Sequence, residues 1–396
     1  MKNKVINNFP IILSVCILIV LLALSNIKGE ENAVPENPKV IQTVSVPKGE
    51  MRGLWVTYID LDMSGTDYSF NSFKTKFNNI ANKAKKNRFN TLIVQVRPFS
   101  DALYKSKYYP CSHIISGKQG KNTDYDALQY MVEYCHKKGL KIHAWVNPYR
   151  VKNKGGLRLS KDNPYIKNKK LGVRVNGGIY LNPALEKVRT LIENGIKEIV
   201  RNYDVDGVQF DDYFYPTNKK SFDKAQYNKY KKKVKTNAVP LDEWRMANVN
   251  TLVYECNAIC HKSGKLFGIS PQGNIRNNYG LYADVKSWCS KYGYVDYICP
   301  QLYYSIKNPA LRFYDALKEW QALKYNKSVT LYIGLAGYKA GTKDDSGTWK
   351  NKTNILKREL KLIRKNNIKG FMLYSYADLN RKGAKMEITN LVKALN

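Results

Sequence analysis

From Met51 onward the chain alternates between two patterns of apolar positions. Short runs rich in Val, Ile, Leu and aromatic residues read as strands, and longer stretches with apolar residues three and four apart read as helices. The strand-like runs are Arg52–Tyr58, Thr91–Arg97, Lys141–Asn147, Gly207–Asp211, Leu266–Ser270, Tyr297–Tyr303, Thr330–Leu335 and Gly370–Tyr376. The helical stretches are Phe73–Arg88, Tyr125–Lys138, Pro183–Asn202, Leu241–Ser263, Leu281–Tyr292, Pro309–Tyr325, Ile355–Asn366 and Ala384–Leu395. Pro183 and Pro309 suit first-turn positions, and Gly139 and Gly264 suit helix C-caps. Eight strand–helix units in succession call for a parallel sheet with right-handed crossovers, which closes as a barrel. The predicted fold is therefore α/β, a single (β/α)8 TIM barrel over residues 49–396. A doubly wound open sheet is the competitor, but no glycine-rich phosphate turn follows the first strand. Long loops follow strands three and four. Residues 148–182 are rich in Gly, Lys and Asn, and residues 213–240 contain a lysine-rich, helix-like patch, Phe222–Lys235. Both leave carboxyl ends of strands and are expected to wall one cleft.

The fourth strand carries the most informative pattern. In Val205-Asp206-Gly207-Val208-Gln209-Phe210-Asp211-Asp212-Tyr213-Phe214-Tyr215-Pro216 an Asp-Gly turn opens a run that alternates in polarity and ends on two adjacent carboxylates. With side-chain period two, Val208 and Phe210 share one face while Gln209 and Asp211 share the other. Acid at the carboxyl end of a barrel strand stands where such folds keep their chemistry. Paired acids suit glycosidic-bond cleavage, and aromatic neighbours suit sugar rings. The competing reading is two solvated aspartates capping the next helix.

Other strands also end polar. Strand two ends Gln95-Val96-Arg97-Pro98-Phe99-Ser100-Asp101, strand three His143-Ala144-Trp145-Val146-Asn147-Pro148-Tyr149, strand five Ser270-Pro271-Gln272-Gly273-Asn274 and strand six Pro300-Gln301-Leu302-Tyr303-Tyr304. Arg97, Asn147, Gln272 and Gln301 can hydrogen-bond hydroxyl and acetamido groups, while Trp145 and Tyr303 offer flat faces for sugar rings. Each has a structural counterpart: Arg97 can neutralise buried carboxylates, Trp145 and Tyr303 can fill the barrel, and His143 reads as a satisfied core histidine.

Composition adds location and partners. Lys2 and Lys4 precede the apolar run Ile11 to Leu24, and Ala23-Leu24-Ser25 gives a small-x-small cleavage pattern, so residues 1–25 read as a signal peptide or an uncleaved N-terminal anchor. Residues 26–48 read as a linker, and the expected location is secreted or extracytoplasmic. Cys16 lies inside the apolar run and not at its end, which argues against lipidation. The remaining cysteines, Cys111, Cys135, Cys256, Cys260, Cys289 and Cys299, read as buried reduced thiols, with no metal and no cofactor expected. With 66 Lys and Arg against 32 Asp and Glu, the formal charge is +34. In an exported monomer this points to anionic wall polymers or a membrane surface, not to nucleic acid.

At this point a resemblance emerges. Met51-Arg52-Gly53-Leu54-Trp55-Val56-Thr57, Gln95-Val96-Arg97-Pro98, Ala144-Trp145-Val146-Asn147-Pro148-Tyr149, Asp206-Gly207-Val208-Gln209-Phe210-Asp211-Asp212-Tyr213 and Gly268-Ile269-Ser270-Pro271-Gln272-Gly273 resemble the glycosyl hydrolase-like 10, or YngK-like, family. The likeness runs from about residue 49 to near the C-terminus. It implies a TIM barrel, an extracytoplasmic location and glycosidase activity, with peptidoglycan glycan strands the substrate of some members. Strand four is also similar to the α-amylase-type pattern, which implies a nucleophile role for Asp211. Strand five departs from that pattern, ending Ser270-Pro271-Gln272 with no Glu. The second carboxylate then has to come from Asp212, Asp101, Asp60, Asp62 or Asp378. Strict alternation counts against Asp211 and Asp212 acting together unless the strand breaks between them.

The expected function is an exported glycoside hydrolase acting on a cell-wall polysaccharide, with Asp211 as nucleophile or base and Asp212 or Asp101 as proton donor. A non-catalytic wall-binding barrel is the alternative, motivated by the missing strand-five Glu. A metal-dependent deacetylase ranks third, because no His-rich ligand set appears at the strand ends.

Overall fold

The computed structural model describes residues 44–395, so the predicted leader and most of the linker lie outside the described residues. In chain order the strands are β1 (Met51–Val56), β2 (Thr91–Arg97), β3 (Lys141–Val146), β4 (Arg150–Lys152), β5 (Gly172–Val175), β6 (Gly178–Leu181), β7 (Gly207–Phe210), β8 (Leu266–Ile269), β9 (Tyr297–Ile298), β10 (Thr330–Leu331), β11 (Ile333–Ala336) and β12 (Gly370–Tyr374). Nine of them form one parallel sheet in the order β10-β9-β8-β7-β3-β2-β1-β12-β11. Its two end strands, β10 and β11, are the two pieces of the single predicted strand Thr330–Leu335, parted at Tyr332. β10 pairs with β9 while β11 pairs with β12, and a bridge from Gln301 to Gly334 carries the ladder across the seam. The sheet is thus a (β/α)8 barrel.

Helices fall between the strands where the apolar spacing placed them. Phe70–Lys86, Ala127–Lys137, Glu186–Asn202, Leu241–Lys262, Phe313–Gln321 and Ile355–Lys365 form the main outer layer. Gly139 takes φ +63° one residue beyond Lys138, which caps the helix Ala127–Lys137. Its N–H reaches the His136 carbonyl while the Leu140 N–H reaches that of Cys135, a left-handed cap that closes the last turn. Gly264 repeats this after Leu241–Lys262, with φ +66°. Pro183 and Pro309 stand three to four residues ahead of their helices, which begin at Glu186 and Phe313. The stretch predicted as one helix from Leu281 shortens to Val285–Ser290. The loop 148–182, predicted without strands, folds into the antiparallel sheet β4-β6-β5.

Alternate residues of each strand fill the barrel. Met51, Trp55, Ile93, Trp145, Leu266, Tyr297, Cys299, Tyr332 and Met372 pack into one cluster. Glycines make room for the large rings: a Cβ on Gly268 would stand 2.1 Å from the Tyr297 ring. Gly268→Ala is therefore expected to force that ring off its rotamer and cost about 1–3 kcal/mol, read as a lower chemical-denaturation midpoint. His143 lies in the same interior, bonded through Nδ1 to the Tyr297 hydroxyl at 2.8 Å, and burial pushes its pKa down to about 4. It is a neutral core histidine.

All six cysteines among the described residues are free, five of them buried, and burial pushes the Cys256 and Cys260 thiols well above their ordinary range. Among the described residues no helix is long and apolar enough to cross a membrane.

Candidate active site

β7 ends at Phe210, one residue short of the predicted strand end. Interior positions on β7 are odd-numbered: Gln209 accepts from the Tyr297 hydroxyl at 3.1 Å, so Asp211 follows it inward. At Asp211 the strand gives way to a turn in which the Tyr213 N–H reaches the Asp211 Oδ1 at 3.1 Å. That turn cancels the alternation which would have sent Asp212 to the outer face. Both carboxylates are buried, at 4% and 8% exposure, and both line one cavity of about 410 Å³ at the carboxyl end of the barrel.

Each carboxylate has its own set of donors. Asp211 Oδ2 accepts from Trp145 Nε1 at 3.1 Å and from the Asn147 amide. The Asn147 amide is oriented by two donors on its oxygen, Gln95 Nε2 at 2.6 Å and Arg150 Nη2 at 3.0 Å. Only with that oxygen occupied does Asn147 present N–H to Asp211. Asp212 accepts from Gln272 Nε2 at 2.6 Å and Gln301 Nε2 at 3.1 Å. Burial, together with the charge of Asp212, pushes Asp211 up to about 7, against the pull of Arg150. Burial likewise raises Asp212. The pair therefore holds one proton close to neutrality, the condition for one member to act as acid while its neighbour carries charge.

Aromatic rings complete the cavity: Trp55, Trp145, Tyr213, Tyr303, Tyr304, Tyr338 and Tyr374 line it with Ser270 and Lys339. The Tyr374 ring stands 5.8 Å from that of Tyr303 and 6.0 Å from that of Trp55. Lys339 is held by the Tyr303 carbonyl at 2.7 Å and Asp345 at 2.6 Å.

Of the residues singled out in the sequence, Asp211, Asp212, Trp145, Gln272, Gln301 and Tyr303 line this cavity, and Asn147 stands directly behind Asp211. Arg97 and Asp101 do not join them. β2 carries a bulge between Gln95 and Arg97, so Gln95 faces Trp145 while Arg97 already faces Val146. The extra residue flips Arg97 outward. Its guanidinium lies 4.5 Å over the Tyr109 ring and against Gly195 of the helix Glu186–Asn202, where a Cβ would stand 2.1 Å from Nη1. Asp101 follows Ser100, whose φ is +49°. It turns away to accept from Gln119 at 3.1 Å and to meet His113 at 3.2 Å. Both belong to the packing around the barrel. The two long loops also contribute less than expected, since Tyr213 is their one residue in the lining.

The sequence reading did not single out Trp55 and Tyr374 of the lining, nor Arg150, Tyr338 and Lys339. Arg150 sits 4.8 Å over the Phe99 ring and fixes Asn147; its one signal was its place right after the Asn147-Pro148-Tyr149 motif. Tyr338 and Lys339 come from the turn after β11, which no pattern marked. A second cavity of about 430 Å³ opens beside Tyr104, Tyr109 and Cys111, but its one carboxylate, Asp162, faces Lys167 at 3.5 Å and has no acidic partner there. Among the described residues, no group of three or more His, Cys, Asp or Glu side chains could hold a metal ion.

A parallel barrel with two buried carboxylates in an aromatic cavity at the strand ends has the form of the glycoside-hydrolase-like barrels. The profile of one such group, Glycosyl hydrolase-like 10, matches residues 50–350, and the chain belongs to that family. Glycosyl hydrolase YngK of Bacillus subtilis (strain 168) is 36% identical over 364 residues, covering 84% of this chain and 69% of the relative. Glycosyl hydrolase DigH of Escherichia coli (strain K12) is 36% identical over 283 residues, with 64% of this chain and 63% of the relative covered. The chain thus spans about two thirds of the length of these relatives. Among solved structures, the catalytic domain of β-amylase from Paenibacillus polymyxa superposes with a TM-score of 0.57 at 10% identity, covering 89% of this chain and 99% of that domain. The glycoside hydrolase domain of PgaB (BpsB) from Bordetella bronchiseptica gives 0.56 at 10% identity, covering 85% and 98%. At such identity they report the fold alone.

Proposed function

We propose that this protein is an exported glycoside hydrolase that cleaves a cell-wall polysaccharide, with peptidoglycan-derived glycan strands as its substrate. The observation that carries this reading is the pair Asp211 and Asp212, buried side by side in an aromatic cavity and raised in pKa by burial. One carboxyl protonates the leaving oxygen while the other stabilises charge at the anomeric centre. Trp145 and Tyr303 support the sugar faces, and Gln272 and Gln301 position Asp212. The printed names of the relatives support hydrolysis, and the N-terminal apolar segment supports export. The +34 charge supports contact with an anionic envelope.

Asp211→Asn is the direct test. Release of reducing ends from purified glycan strands is expected to drop at least about 100-fold while the melting temperature stays near that of the parent. Unchanged release removes Asp211 from the chemistry. The second reading, a barrel that grips glycan without cleaving it, is favoured by the end of β8, where Ser270-Pro271-Gln272 follow and no Glu stands. It requires sedimentation with wall sacculi and no soluble sugar after prolonged incubation.

A pH profile follows from the same pair. Turnover needs one proton and one charge shared between the two carboxyls, so kcat/KM is expected to fall as pH rises through about 7. Stability carries the same sign. A raised carboxyl keeps its proton longer in the folded chain than in the unfolded one, so folding free energy is full below 3.8 and declines up to about 7. Thermal midpoints measured across that interval check it.

A further inference from the structure

The cavity lining contains two carboxylates and no third. Each other aspartate near the mouth is engaged elsewhere. Asp60 accepts from the Thr57 N–H at 2.8 Å, and Asp345 is tied to Lys339 and to Trp349 at 3.0 Å. Asp378 accepts from Arg381 at 2.9 Å, and Asp101 lies behind β2. Direct displacement at a sugar ring needs carboxylates on opposite sides of the bond, about 5–5.5 Å apart to retain configuration or about 6.5–9.5 Å apart to invert it. Asp211 and Asp212 leave one strand end on consecutive residues, with Cα atoms about 3.8 Å apart, and enter the cavity from the same wall. Neither can attack C1 from the face opposite the other. The nucleophile therefore arrives with the substrate.

The rest of the cavity indicates which nucleophile. Beside Asp211, Trp145 and the rings of Trp55, Tyr303 and Tyr374, the last of which touches both others, line an aromatic basket. Such a basket takes a methyl group, and the carboxylate at its edge takes an N–H. A 2-acetamido substituent has both, with a carbonyl oxygen at the reach of its own C1.

We infer that the site acts on glycans of 2-acetamido-2-deoxy sugars in β-linkage, with the substrate's acetamido oxygen as the nucleophile. This rests on the hydrolase reading and specifies its substrate. In the first step the carbonyl oxygen bonds to C1 as the C1–oxygen bond to the leaving sugar breaks. The one proton the pair holds passes through Asp212 to the departing oxygen, and Asp211, left charged, holds the acetamido N–H, whose proton it draws as positive charge develops. In the second step Asp212 takes a proton from water as the water oxygen bonds to C1 and the ring opens. The acetamide regains its proton from Asp211. The net change is hydrolysis with retained configuration.

The experiment compares three β-1,4 oligomers of equal length, carrying acetamido, free amino or hydroxyl at C2, with the anomer of the product read by proton NMR. Cleavage of the acetamido oligomer alone, at least about 100-fold faster than the other two and giving the β anomer first, is the expected result. Binding of the thiazoline analogue of the cyclised sugar is measured by calorimetry with the parent, Asp211→Asn and Asp212→Asn. Asp212→Asn is expected to bind it within about threefold of the parent, and Asp211→Asn to lose at least about tenfold in affinity. Cleavage irrespective of the C2 group, an α product, or no thiazoline binding overturns this inference while leaving the hydrolase reading intact. Cleavage of none of the oligomers, nor of glycan strands, removes both.

Discussion

Asp212→Asn is expected to lower turnover of glycan strands by about 10²–10⁴-fold, the range over which a positioned proton donor accelerates bond cleavage. Asp212 is held by Gln272 and Gln301, whose amides can rotate to meet an asparagine, so the variant keeps its surroundings. The diagnostic lies in the leaving group. A dinitrophenyl glycoside departs without protonation, so its cleavage is expected to fall far less than that of a sugar leaving group. Equal losses on both substrates exclude Asp212 as the proton donor. Asp211→Asn is expected to slow both alike, because its carboxylate acts on the sugar that stays. Trp145 and Asn147 donate to Asp211 from β3 and the turn after it, so each carboxyl can be altered without disturbing the donors of the other.

The largest expected loss of stability lies outside the cavity. Arg245 and Asp223 are both fully buried and meet at 2.6 Å, where the loop after β7 returns to the helix Leu241–Lys262. Arg245 also donates to the Lys219 carbonyl at 2.8 Å and the Tyr282 hydroxyl at 2.8 Å, and lies 5.3 Å over the Tyr215 ring. Arg245→Ala leaves Asp223 charged, buried and unpaired, and is expected to cost about 3–5 kcal/mol. That is a large share of the about 5–15 kcal/mol by which a domain is stable. The paired change Asp223→Asn with Arg245→Met removes both charges and is expected to recover much of that loss. Denaturant midpoints of the two variants decide this, and equal midpoints argue against a buried ion pair as the cause. The pair anchors the start of the lysine-rich helix Lys224–Val234, so hydrogen exchange in that segment is expected to quicken with the single change.

Much of the candidate site was legible because barrel strands have a strict side-chain period and ends marked by polarity. Gln209 and Asp211 face the interior as their spacing required, and Gln272, Gln301, Trp145 and Tyr303 come to the same cavity from three further strand ends. The departures occur where the period fails. A bulge in β2 sent Arg97 to the helices, and a left-handed Ser100 carried Asp101 away from the mouth. A turn at Asp211 brought Asp212 inward against the alternation that argued for its exclusion. Bulges and turns of this kind follow from contacts with neighbouring strands and loops, which local sequence does not display.

By itself the sequence determined the number and order of strand–helix units, the parallel closure they require, and the acidic, amide-rich and aromatic ends that gather on one rim. These follow from hydrophobic periodicity and connection rules, which act over a few residues at a time. The tertiary structure alone decided that two neighbouring aspartates share a cavity, which amides hold each of them, and that Arg150 fixes Asn147 from behind. It also decided the protonation of the pair, because burial depends on rings brought from β1, β3 and β12 and from the turn after β9. A carboxyl's affinity for its proton is set by what excludes water from it, and those groups lie far away along the chain.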